Sequence, residues 1–117
     1  MKLQDILYKV GIRSVIGKTD MEINEVEIDS REVRTGTAFI AVRGSAADGH
    51  QFIDKAITNG AVAIVCETLP VQQVDGITYV QVENTAAAAG YMAHNFFGQP
   101  SEKVKLVVQQ ESRDRDG

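Results

Sequence analysis

The sequence predicts an α/β fold, a mixed β-sheet flanked by helices. Three features predict it. Short segments that are apolar or alternate in polarity recur along the chain. Segments with helical apolar spacing fall between them, and glycine, asparagine or aspartate stands at most joints. A length of 117 residues, 44% of them hydrophobic, suits one compact domain with a substantial core.

The elements follow in order. Leu3, Ile6, Leu7 and Val10 form an apolar stripe at helical spacing, and Gly11 is placed to end that helix in a left-handed conformation. Residues 22–28 alternate, with Asn24, Val26 and Ile28 on one face and Glu25 and Glu27 on the other, as in a half-exposed strand. Asp29-Ser30-Arg31 breaks the alternation. A second strand over residues 37–42 follows a turn at Gly36, and residues 44–49 form a loop of small residues. Asp48 is placed to cap a helix whose Phe52, Ile53, Ala56 and Ile57 face inward, with Gly60 just past its end. The continuous apolar run over residues 61–66 predicts a strand covered on both faces. A further strand spans residues 77–82. Asn84 then caps a helix over residues 85–97, which Gly98 and Pro100 stop, and residues 105–108 form a last strand. Neither a repeat nor a low-complexity linker interrupts this order.

Composition removes several function classes. A formal net charge of -4 disfavours general nucleic-acid binding, which depends on a basic surface. No apolar run approaches the roughly twenty residues of a membrane-spanning helix. The acidic, amphipathic N-terminus does not read as a signal peptide. A single cysteine excludes an internal disulfide and a cysteine-based metal cluster. A cytoplasmic protein with neither nucleic-acid nor membrane partners is expected.

Most polar motifs carry no chemistry. Gly17-Lys18-Thr19 with Gly11 upstream imitates a phosphate-binding P-loop, but five residues separate the glycines where the motif needs about four. The stretch is read as a turn that ends the first helix and leads to a strand, whereas a P-loop follows a strand and opens a helix. His50 and His94 sit on different predicted helices, and neither has a second metal ligand one helical turn away. His50 is read as a surface residue or a hydrogen-bond partner. Cys66 ends an apolar strand and reads as a small core residue. No catalytic residue and no metal site is expected.

The two loops at strand ends are different, because such loops are where α/β proteins bind ligands. Small side chains at Ser45, Ala46 and Ala47 let backbone approach a flat heterocycle, and Ser30 offers a hydroxyl to phosphate or sugar. The alternative is that both are plain turns, opened by Asp and Ser and closed by Gly.

Taken together, Ile28-Asp29-Ser30-Arg31, the segment 36–42, Gly44, the segment 48–53, Ala56 and Gly60-Ala61 resemble the N-terminal, UDP-sugar-binding domain of the bacterial Mur ligases. No single piece suffices; the order and spacing from Val26 to Cys66 do. The segment 95–101 followed by Val104-Lys105-Leu106-Val107 is similar to the tripeptide-synthetase (MurE) branch rather than the pentapeptide-forming (MurF) branch. The resemblance implies contacts from Ile28 to the nucleotide, from Ser30 to the diphosphate end, and from Ser45, Ala46 and Ala47 to the uridine. Asp29 and Arg31 are implied to brace the first loop. The implied ligand is UDP-N-acetylmuramoyl-L-alanyl-D-glutamate, onto which the parent enzyme ligates diaminopimelate or lysine with ATP and Mg²⁺.

The resemblance covers residues 1–107. Beyond it the family continues into a glycine-rich P-loop, whereas residues 108–117 form a divergent polar tail, expected to be disordered. The ATP-binding and C-terminal ligase domains are therefore expected to be missing, and the chain alone is expected to hold the UDP handle at most and to be inactive. The alternatives are a MurF-type ligase N-terminal domain or a stand-alone, non-catalytic ligand-binding or interaction module.

Overall fold

The computed structural model describes residues 1–43 and 48–98. Gly44, Ser45, Ala46 and Ala47 of the second loop lie outside the described residues, as do Pro100, the strand expected over residues 105–108 and the tail. The described part is a five-stranded mixed sheet in the order β1-β5-β4-β3-β2. Its strands are β1 (Ile12–Ile16), β2 (Glu25–Glu27), β3 (Thr37–Ile40), β4 (Ala61–Cys66) and β5 (Thr78–Val82). The strands β2, β3, β4 and β5 pair in parallel, and β1 joins β5 antiparallel.

Helices cover both faces, as the apolar run of β4 requires. Successive side chains on a strand point to opposite faces, and the core divides accordingly. Ala38, Ile40, Ala63, Val65, Val80 and Val82 face α1 (Leu3–Ile6) and α3 (Thr85–Phe97), packing with Leu3, Ile6, Ala88 and Met92. Phe39, Ile64, Cys66 and Tyr79 face the other way, against Ile53 and Ala56 of α2 (Ile53–Asn59). Each fully buried large apolar side chain contributes about 1.5–3 kcal/mol. The expected flanked mixed sheet is thus the observed one.

Several local expectations are corrected. The first helix is only a short turn of helix, and Lys9, not Gly11, takes the left-handed conformation, at φ 70°. Residues 12–16, read as part of a turn, are the edge strand β1. Its side chains are mostly exposed, so its sequence has no buried face to betray it. The Gly17-Lys18-Thr19 stretch therefore follows a strand, contrary to the sequence reading, but no helix follows it before the 3-10 turn Ser30–Glu32. Asp48 does cap, although it caps a 3-10 turn, Gly49–Phe52, that leads into α2. Asn84 caps α3 by accepting from the Ala87 amide at 3.0 Å.

Candidate functional site

Parallel pairing places the carboxyl ends of β2 and β3 side by side, so the chain leaves the sheet twice on the same edge. After β2, Asp29 caps the 3-10 turn with its own carboxylate, which accepts from the Arg31 amide at 2.9 Å. The Arg31 guanidinium grips the same carboxylate twice, Nε at 3.1 Å and Nη2 at 2.8 Å. These hydrogen bonds, the side-chain one first, hold the Asp29 carboxyl below its ordinary range. The bracing expected of this pair is the contact observed. Asn59 of α2 secures the turn from behind, donating to the Ser30 carbonyl at 2.9 Å.

After β3 the chain reaches Val42 and Arg43, and it returns at Asp48 and Gly49. Gly49 donates its amide to the Val42 carbonyl at 2.8 Å. A Cβ at Gly49 would stand 2.7 Å from the Val42 nitrogen, so only glycine permits this approach. Between the two loops lies an open cleft of about 550 Å³, lined by Ile28, Asp29, Ser30, Arg31, Val42, Gly49, Phe52 and Lys55.

Of the residues singled out in the sequence, Ile28 and Ser30 both line this cleft. Ile28 is 51% exposed, since β2 ends one residue before it. Ser30 is only 6% exposed. Among the described residues its hydroxyl has no hydrogen-bond partner, an unusual state for a buried polar group. Ser45, Ala46 and Ala47 lie outside the described residues. The sequence reading missed Val42, Phe52 and Lys55. Phe52, expected inward, is 38% exposed and presents apolar surface to the cleft, because the 3-10 turn rotates it away from the inward face that Ile53 and Ala56 keep. Lys55 adds a cation. The available signal was its place on the polar face of the helix that Asp48 opens.

A second polar cluster lies behind the cleft, at the carboxyl ends of β3, β4 and β5. Arg43 Nε pairs with Glu67 Oε1 at 3.0 Å, and its Nη1 stands 3.5 Å from Asp48 Oδ2. The other oxygen of Glu67 accepts from the Thr85 amide at 2.9 Å, at the N-terminus of α3. That backbone bond is the chief reason the Glu67 carboxyl stays below its ordinary range. His50 contacts Asp48 Oδ1 through Nδ1 at 2.7 Å, and its Nε2 accepts from the Glu67 amide at 2.9 Å. His94 is exposed on α3, and Cys66 is buried, with desolvation pushing its thiol up to about 11. Among the described residues no group of three His, Cys, Asp or Glu side chains is placed to hold a metal ion. Nor is any described helix long and apolar enough to cross a membrane.

Comparison with known proteins adds to this geometry. A profile of the Mur ligase family, catalytic domain, matches residues 22–115. The chain is 46% identical over 108 residues to the UDP-N-acetylmuramoyl-L-alanyl-D-glutamate--2,6-diaminopimelate ligase of Cytophaga hutchinsonii, covering 92% of this chain and 22% of that protein. It is 44% identical over 107 residues to the ligase of the same name from Bacteroides fragilis, with the same coverage of 92% and 22%. The chain thus spans 22% of the length of these curated relatives. Among solved structures, a MurF from Acinetobacter baumannii superposes with a TM-score of 0.60 at 25% identity, over 80% of this chain and 19% of that one. The MurF ligase of Thermotoga maritima, solved with ADP, gives a TM-score of 0.54 at 37% identity, over 64% of this chain and 17% of that one.

Proposed function

The chain belongs to the Mur ligase family, and from that premise we propose that its cleft between the β2 and β3 loops holds the uridine diphosphate of a UDP-N-acetylmuramoyl peptide. The observation that carries this reading is the Ser30 hydroxyl, buried at the cleft without a described protein partner. A diphosphate oxygen supplies the missing acceptor, and a hydrogen bond to a charged group is worth about 1.5–3 kcal/mol. Lys55 lines the same cleft and offsets diphosphate charge, whereas Arg31 is already paired with Asp29. Ile28 and Phe52 give the apolar walls that a heterocycle or ribose needs. Ser45, Ala46 and Ala47 complete the uridine side through backbone groups in this reading.

The relatives named above favour the MurE branch over the MurF branch, with identity reaching 46% in the former. The full ligase that carries this domain would join 2,6-diaminopimelate to UDP-N-acetylmuramoyl-L-alanyl-D-glutamate, in the cytoplasm. Such a ligase uses ATP and Mg²⁺, but the described residues here do not fit them. Gly17-Lys18-Thr19 opens no helix, and no described acidic cluster is placed for a metal. The role of this domain is to bind and orient the nucleotide end of the substrate, and phosphoryl transfer belongs elsewhere.

Calorimetric titration with UDP-N-acetylmuramoyl-L-alanyl-D-glutamate tests the reading. Ser30→Ala is expected to weaken binding by roughly tenfold or more, with an unchanged circular dichroism spectrum. Ala46→Asp, which sets a negative charge at the uridine side, is expected to weaken it as well. Wild-type affinity in both variants would show that the site has been misassigned.

A further inference from the structure

His50 does not line the cleft, yet it joins the wall that does. Two backbone amides converge on its Nε2, Glu67 at 2.9 Å and Thr68 at 3.3 Å. Both are donors, so Nε2 must present a lone pair. The ring proton then sits on Nδ1, which donates to Asp48 Oδ1 at 2.7 Å. The same carboxylate oxygen accepts from the His50 amide at 2.9 Å. His50 is therefore a neutral crosslink of defined tautomer, tying the start of the Gly49–Phe52 turn to the chain that leaves β4.

The surroundings make this link matter to the cleft. The turn it anchors carries Gly49 and Phe52, both lining residues, and leads into the helix that carries Lys55. The other anchors of the turn are the Gly49–Val42 backbone bond and the Arg43–Asp48 ion pair. Charged groups surround the ring, and Asp54 of α2 lines the same pocket as His50. Asp48 lies on its own turn, Arg43 follows β3, and Glu67 follows β4 with its carboxylate on Arg43 and Thr85. A proton added to Nε2 would turn an acceptor into a donor opposed by two donors. No rotation of the ring restores both contacts without surrendering the bond to Asp48.

We propose that His50 is a positioning residue, holding the Gly49–Phe52 wall in its nucleotide-binding geometry only while its imidazole is neutral, so that protonation loosens the wall and lowers affinity. This rests on the nucleotide-binding reading of the cleft. It goes further by assigning that site a pH response and the residue that reads it.

The test titrates the full chain with UDP-N-acetylmuramoyl-L-alanyl-D-glutamate at a series of pH values from about 8 to about 5.5. The diphosphate diester of this ligand and its carboxylates stay ionised over that interval. Three proteins are compared: wild type, His50→Ala and His50→Gln. Glutamine can place a carbonyl oxygen where Nε2 stands, and it does not titrate. His50→Ala is expected to bind about tenfold more weakly at every pH, for the loss of two backbone hydrogen bonds. His50→Gln is expected to recover most of the affinity at high pH and to keep it in acid, while wild type loses it. Equal affinity in His50→Ala, no recovery in His50→Gln, or parallel acid profiles for wild type and His50→Gln would each overturn the proposal. If these proteins bind but do not differ, the cleft reading survives and the His50 assignment falls. If wild type binds at no pH, both fall together.

Discussion

Ser30 and Cys66 show that burial alone does not separate a side chain able to meet a ligand from one that cannot. Both are buried, but Ser30 lies at a cleft wall, and Cys66 ends a central strand with Ile64 and Tyr79 in its cluster. Desolvation, which raises the Cys66 pKa to about 11, leaves almost no thiolate near neutrality. A disulfide reagent at pH 8 is accordingly expected to label Cys66 only on unfolding, at a rate set by denaturant. Rapid labelling of the native protein would contradict the packing. Much at this scale was legible in the sequence. Ser30 at a strand end and the core position of Cys66 follow from strand ends and apolar runs, whereas Ile28 and the Asp29–Arg31 pairing came only from the family resemblance. Lys55 and Phe52 were not legible as cleft residues. Their approach to Ser30 depends on where α2 crosses the sheet, a tertiary fact with no local signature.

The elements were read best where their ends are chemically marked. Asn84 caps α3, the apolar run 61–66 is β4, and Gly60 closes α2 at φ 121°. Gly60 also shows why that mark is specific. A Cβ there would stand 2.6 Å from the Thr35 nitrogen, backbone that cannot swing aside. Gly60→Ala is therefore expected to lower stability by at least ~1–3 kcal/mol, read as a shift of the urea midpoint at constant slope. An unchanged midpoint would mean that the turn relaxes freely. Elements without such marks were missed or misplaced. Edge strand β1 has Ile12, Val15 and Ile16 all about 40% exposed, so neither face carries a buried alternation. Lys9 occupies a left-handed position that glycine would be expected to fill, and Gly11 stands two residues too late.

The whole molecule concentrates its polar chemistry at one edge, the carboxyl ends of the parallel strands. Asp29, Asp48 and Glu67 all lie there, and each has a pKa lowered by hydrogen bonds from backbone or side-chain donors. A folded-state pKa below the unfolded one adds stability that is fully present above the ordinary carboxylate range, roughly pH 4. That stability is lost as pH falls through the lower folded values. Thermal midpoints are thus expected to decline below about pH 4, and the decline should be shallower in Glu67→Gln. A steeper decline in that variant would contradict the sign. The same edge carries the cleft, so the account stands or falls on what binds there. The most direct measurement is an NMR titration of the labelled chain with UDP and with UDP-N-acetylmuramoyl-L-alanyl-D-glutamate. The account predicts shifts centred on residues 28–31, 42–49, Phe52 and Lys55, with α1 and β1 unmoved. Shifts centred elsewhere, or no shifts at millimolar ligand, would contradict a nucleotide site in this cleft.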